Sequence, residues 1–327
     1  MILRIKKGHP RVDSISVRGF FIENNIMNHR TLKIIAVIAL VLSLAITKPA
    51  AAKTVKDQLG RMVDVPDEPR RVVALAPSIT EIVFALGQED RLKGVTIYSD
   101  FPPAATVLPK VGSYIRLDLE RIVALKPDLC IAVKDGNPKA IAQRLELLKI
   151  PVYAVNPRNL ETVMQTVLEI GRLLNADEKA NVLVQNMRSR ILKVQSLVAK
   201  TTYRPRVFFQ IGIVPIVSIG TDTFIHELIV LAGGKNLAAG AVAYPRFSQE
   251  QVLALSPEVF IITSMTRAAV FEQVKAEWSR WPDMPAVRNR RILLEDSNLF
   301  DRPTPRLVDA LELLVRRIHP ELFKEAD

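Results

Sequence analysis

Leu119-Glu-Arg-Ile-Val-Ala-Leu-Lys-Pro-Asp-Leu-Cys-Ile-Ala132 and Gln249-Glu-Gln-Val-Leu-Ala-Leu-Ser-Pro-Glu-Val-Phe-Ile-Ile262 are two copies of one unit, 130 residues apart. Five of the fourteen positions are identical and four more are conservative. Each copy reads as a short amphipathic helix, a proline that stops it, and a buried strand. Asp118 and Ser248 stand at the expected N-caps, which puts Glu120 and Glu250 in the first helical turn. A carboxylate there is favoured by the helix dipole by about 0.3–1 kcal/mol, so capping alone explains either residue singly. The matched placement of both is what points to duplication.

The repeat extends outward from the motif. Arg71–Leu75 is an apolar strand leading into a helix over Thr80–Gly87, and Arg206–Gln210 leads into His226–Gly233. Glu81 and Glu227 each lie six residues before a helix-ending glycine, and Tyr114 and Tyr244 each lie six residues before the motif glutamate. The first copy is longer between its glutamates, 39 residues against 23, and the extra length holds Tyr98-Ser-Asp-Phe-Pro-Pro103. Strands near 71–75, 94–97, 129–133 and 152–155 are apolar without clean alternation, as in a sheet covered on both faces. The fold class is therefore α/β: two Rossmann-like lobes with parallel-type sheets joined by a long connecting helix.

Residues 159–200 belong to neither lobe pattern. Leu160, Val163, Met164, Val167, Ile170, Leu173 and Leu174 follow a helical period, and a cap at Asn175 or Asp177 starts a second stretch. This reads as one long helix or two end to end, spanning about 60 Å if unbroken. The expected organisation is a leader over 1–52, an N-terminal lobe over 53–156, a connecting helix over 157–203 and a C-terminal lobe over 204–327.

The leader resembles an export signal. His29, Arg30 and Lys33 precede the apolar run Ile34–Ile46, and Pro49-Ala-Ala-Ala52 offers cleavage after Ala52, with Met27 as a natural start. Location in the periplasm follows, and no cysteine at the cleavage site invites lipidation. The net charge of +11 is concentrated in this leader, where eight Lys/Arg face two Asp/Glu. The remaining basic residues are scattered, which gives no support to nucleic-acid binding. Cys130, the single cysteine, sits in an apolar strand and has no internal partner.

Catalytic signatures are missing. The histidines (His9, His29, His226, His319) show no metal-ligand spacing, and neither a nucleophile elbow nor a phosphate loop occurs. Ser78 reads as the cap of the helix holding Glu81. Neither catalytic residues nor a metal or cofactor is expected. In doubly wound sheets ligands sit where strands end. The loops in such places carry Tyr98, Gly112-Ser-Tyr114, Tyr244-Pro-Arg-Phe247 and Asn298-Leu-Phe-Asp-Arg302. Their aromatic rings suit a flat, polarizable ligand.

These segments resemble the periplasmic substrate-binding proteins of ABC importers whose lobes are joined by one long helix, and within them the vitamin B12 binders. The resemblance covers about 70–320 and rests on Tyr98–Pro103, Leu119–Leu129, Arg206–Gly212 and Ala232–Asn236. It implies a corrinoid ligand held by Tyr98, Tyr114, Tyr244 and the segment Asn298, Leu299, Phe300, Asp301 and Arg302. It implies that Glu120 and Glu250 dock onto an ABC permease dimer. Val133 and Ile211 stand where members can present aromatic rings, and Asn298 replaces an aspartate. Haem and ferric siderophores are the alternative cargoes, with Arg116, Arg246 and Arg302 as candidate partners for siderophore charge. A two-lobed exported enzyme is the remaining alternative.

Overall fold

The alternation hidden in the apolar strands is resolved by packing. The structure is a computed structural model describing residues 52–263 and 268–323. The leader expectations, apart from Ala52, lie outside the described residues. A hairpin of β1 (Ala52–Lys56) and β2 (Met62–Pro66) comes first. It leads into a parallel sheet of β3 (Val72–Ala74), β4 (Leu92–Gly94), β5 (Leu129–Val133) and β6 (Val152–Val155), in the order β4-β3-β5-β6. Helices α1 (Pro77–Ala85), α2 (Leu119–Ala124) and α3 (Lys139–Leu147) lie between these strands. Val72, Ala74, Leu129 and Ile131 face one core, while Val73, Leu75, Cys130 and Ala132 face another. Both faces are covered, so every second residue is apolar on each side.

Next come helices α4 (Leu160–Leu173) and α5 (Asp177–Val198). The second lobe holds β7 (Arg206–Gln210), β8 (Ile216–Val217), α6 (Phe224–Leu231), β9 (Lys235–Asn236), β10 (Arg246–Phe247), α7 (Gln249–Leu255) and β11 (Val259–Ile262). It continues through α8 (Ala268–Trp278), α9 (Pro285–Arg288), β12 (Ile292–Leu294), α10 (Ser297–Phe300) and α11 (Leu307–Ile318). Its parallel sheet runs β12-β11-β7-β9. Numbered within each lobe, both sheets have the order 2-1-3-4. The motif strands pair alike, Leu129 with Val72 and Val259 with Val207. The duplication is therefore real in three dimensions.

Three local expectations need correction. The strand placed near 94–97 ends at Gly94, because Val95 turns away to bridge Lys110. Ser78 does not cap α1: the N-cap is Ala76, with Pro77 in the first turn. The connecting segment is no 60 Å rod. Asn175 adopts φ +54° and reverses the chain, Ala176 donates its amide to Gly171, and Arg188 reaches back to Glu161 at 2.9 Å. Helices α4 and α5 are thus an antiparallel hairpin, and α5 alone, 22 residues or about 33 Å, is the long connecting helix. It is fastened to α11 by Arg190, which bonds Glu312 and Asp309.

Gly171 makes the hairpin close. A Cβ there would stand 2.5 Å from the Ala180 Cβ. Gly171→Ala should therefore destabilise by about 1–2 kcal/mol, the overpacking exceeding the gain in helix propensity. Calorimetry should show the melting temperature lowered by roughly 3–6 °C, and an unchanged value would mean the helices simply move apart.

One core runs through both lobes. Val72, Ile131 and Val155 of the first sheet join Val207, Phe209 and Ile261 of the second through α4, α5 and α11. Lobes that share a packed apolar core can rock but not swing widely. Among the described residues no helix is long and apolar enough to cross a membrane.

Candidate functional site

Strand ends from both sheets converge on one cavity of about 320 Å³. The first lobe contributes Ala76–Ser78 after β3, Val133 and Asp135 at the end of β5, and Tyr114 from the loop before α2. The linker after β6 contributes Asn156, Pro157 and Arg158. The second lobe contributes Ile211 after β7, Asp222–Ile225 at the start of α6, Tyr244, and Asp301–Pro303 after α10. Val133 and Ile211 therefore form smooth wall where larger rings would narrow the space.

Tyr114 and Tyr244 face this cavity from equivalent positions in opposite lobes. Burial pushes both phenols up, with Tyr98 and Asp301 adding at Tyr114 and Asp135 adding at Tyr244. Both therefore remain neutral hydroxyls well above physiological pH. Tyr98 is outside the lining, 44% exposed, with its ring edge-on to Tyr114 at 6.1 Å.

The charged residues are arranged as two clamps. Arg158 meets Asp135 of the first lobe at 3.3 Å and Asp222 of the second at 3.6 Å. Arg302, nearly buried, meets Glu81 at 2.9 Å, Asp100 at 2.7 Å and the Tyr98 carbonyl at 2.9 Å. Burial alone would lower the Arg302 pKa, but Asp100 and Glu81 outweigh it and hold it raised. Arg306 donates to both Glu81 oxygens and lies 3.8 Å from the centre of the Phe101 ring. Glu81 is in the first lobe and both arginines are in the second, so this network ties the lobes together beneath the cavity. Its repeat partner Glu227 does something analogous: it accepts the Leu160 amide at 2.6 Å, capping α4 from α6.

Asp301 differs from these acids. It is partly exposed to the cavity and accepts a hydrogen bond from the Thr263 hydroxyl at 3.2 Å. Among the described residues it joins no ion pair. Burial of its carboxyl pushes its pKa up to about 7; Thr263 opposes, Asp296 adds, and Arg302 opposes.

Of the expected ligand residues, then, Tyr114, Tyr244, Asp301 and Arg302 meet at the cavity, and Tyr98 stands beside it. Phe300, expected among the residues that hold the ligand, is instead fully buried, its ring centre 5.7 Å from that of Phe209. The four-residue α10 turns it inward. Leu299 packs on the shared core, and Asn298 is not part of the lining; its backbone carbonyl accepts from Arg306. Arg302 is held by protein acids rather than presented to a ligand. Arg116 and Arg246 are exposed and do not line the cavity. Arg158, Asp135 and Asp222 were not singled out by sequence. The Asn-Pro-Arg that follows β6 is the signal that marks this strand-end loop.

Glu120 and Glu250 are exposed on α2 and α7. Asp118 accepts the Arg121 amide, and Ser248 forms a full capping box with Gln251. The Ser248 hydrogen bond, with the local backbone amide, holds Glu250 below the usual carboxylate range. Cys130 is buried, and desolvation pushes its thiol up to about 12, which leaves it inert. The described residues contain no cluster of His, Cys, Asp and Glu able to hold a metal ion.

Known proteins share this fold. The pattern of the family described as Periplasmic binding protein matches residues 72–299. A vitamin B12-binding protein of Vibrio parahaemolyticus is 34% identical over 243 residues, covering 74% of this chain and 86% of its own. The solved periplasmic vitamin B12 binding protein of Vibrio cholerae superposes with a TM-score of 0.68 at 30% identity, covering 80% of this chain and all of that one. A periplasmic heme binding protein from Pseudomonas aeruginosa gives 0.72 at 28% identity, covering 77% and 93%.

Proposed function

The chain belongs to the periplasmic binding protein family, and on that premise we propose that it captures a corrinoid, vitamin B12 or a close relative, between its lobes. It is an extracytoplasmic substrate-binding protein of an ABC transporter and not an enzyme. The observation that carries the cargo reading is the pair Tyr114 and Tyr244, one from each lobe, facing a single cavity. Two neutral aromatic walls suit a flat, polarizable ring system. The cavity takes one edge of such a ligand, and the rest stands out past Tyr98 and Tyr244, both about half exposed. The vitamin B12 binders among its relatives support the same cargo.

Haem and ferric siderophores are the competing cargoes. Among the described residues siderophore charge finds no unmatched arginine in the lining. Titration calorimetry against cyanocobalamin, cobinamide, hemin and a ferric siderophore tests the choice. Saturable heat is expected from the two corrinoids. Heat from hemin alone sinks the corrinoid reading.

Delivery rests on Glu120 and Glu250. They hold equivalent exposed places on equivalent helices, which fits docking onto a two-fold permease that presents basic residues. The double variant Glu120→Ala/Glu250→Ala should retain ligand affinity and lower uptake by about tenfold or more in a reconstituted transporter. Loss of ligand binding in the folded variant would instead assign these residues to the cleft or to stability.

A further inference from the structure

The cleft contains one carboxylate that the clamps leave out. Arg158 is matched by Asp135 and Asp222, and Arg302 by Glu81 and Asp100. Asp301 lines the same cavity, takes one hydrogen bond from Thr263, and pairs with no cation among the described residues. Tyr114 of one lobe and Tyr244 of the other line the cavity with it. A ligand that fills this cavity comes within reach of Asp301.

We propose that Asp301 is a specificity-determining residue, whose negative charge rejects flat macrocycles bearing carboxylates and accepts those whose side chains end in uncharged amides. The proposal rests on the reading that the cleft takes a flat macrocycle. The chemistry is simple. An amide N–H donates to a carboxylate, whereas two carboxylates facing each other have no proton to share and repel. An unmatched arginine would compensate a ligand carboxylate, and among the described residues none lines the cavity. The site therefore discriminates by repulsion as well as by fit.

The same geometry makes the discrimination sensitive to pH. Asp296 and Arg302 face Asp301 from its own segment, Tyr114 from the first lobe, and Tyr244 from the second. Asp135, Arg158 and Asp222 also act on Tyr244. Once protonated, Asp301 can donate to a ligand carboxylate, so exclusion is strong above its pKa of about 7 and fades below it.

The test uses the purified protein with cyanocobalamin, a cyanocobalamin derivative in which one side-chain amide is hydrolysed to the acid, and hemin, at about pH 8 and about pH 6. The wild-type protein should bind the acid derivative about tenfold more weakly than the parent at the higher pH, with the gap narrowing at the lower. Asp301→Asn should close the gap at both pH values, the acid derivative gaining on the parent by about tenfold at the higher pH. A gap that persists undiminished in the Asn variant, or equal weakening of parent and acid, overturns the proposal. If the variant does not fold, a wild-type gap that is the same at both pH values overturns it equally. Should neither corrinoid bind while hemin does, the cargo reading fails on its own. The charge proposal is then judged on hemin, which the Asn variant must bind about tenfold more tightly than wild type at the higher pH.

Discussion

Replacing Glu81 by alanine should lower the unfolding free energy by about 3 kcal/mol, the lower end of the range for breaking a buried ion pair. Only 3% of the Glu81 side chain is exposed, and it is shared by Arg302 and Arg306. Its loss strips Arg306 of both carboxylate bonds and leaves Arg302 with Asp100, which is half exposed and screened by water. Residual support keeps the cost from being higher: Arg302 retains the Tyr98 carbonyl, and Arg306 retains the face of Phe101. Glu81→Gln preserves the shape and one acceptor oxygen, so it should cost roughly half as much. Urea denaturation of the three proteins decides the matter. Equal stability of Glu81→Ala and wild type would mean that water replaces the carboxylate and that the network does not tie the lobes.

That network shows where sequence reading stops. Glu81 and Glu227 were found as a repeated pair because their spacing to glycine is local. Their partners are not: Arg302 is 221 residues from Glu81, and Leu160 is 67 from Glu227. No pattern within one helix announces them. The sheets were legible, since each strand is apolar on two covered faces and each motif helix has a capping residue in view. The hairpin of α4 and α5 was not. Asn175 reads equally well as a helix cap and as the left-handed residue that reverses the chain, and only the latter brings Gly171 against Ala180. At the cleft, Tyr114 and Tyr244 were legible through matched spacing, and Asp301 through its strand-end loop. Phe300 was misplaced because an aromatic in a short loop helix has two faces to choose from. Arg158 escaped because its role depends on acids supplied by both lobes.

Asp301→Asn should make the protein more stable at about pH 8 by roughly 2–4 kcal/mol, and leave it close to wild type at about pH 4. The sign follows from proton binding. The Asp301 pKa rises from an ordinary 3.8 to about 7 on folding, so between these values the native state holds a proton that the unfolded chain has released. Stability contributed by this group is therefore full below about pH 4, falls as pH rises, and levels off above the folded pKa. A shift of that size corresponds to about 4 kcal/mol, and water at the open side of the cavity screens part of it. Asparagine cannot ionise, yet can still accept the Thr263 hydroxyl, so it removes the penalty without removing the hydrogen bond. Denaturation of both proteins across this pH range checks the claim. A difference between them that stays constant with pH would place the Asp301 pKa near its ordinary value and dissociate it from the desolvation seen at the cleft floor.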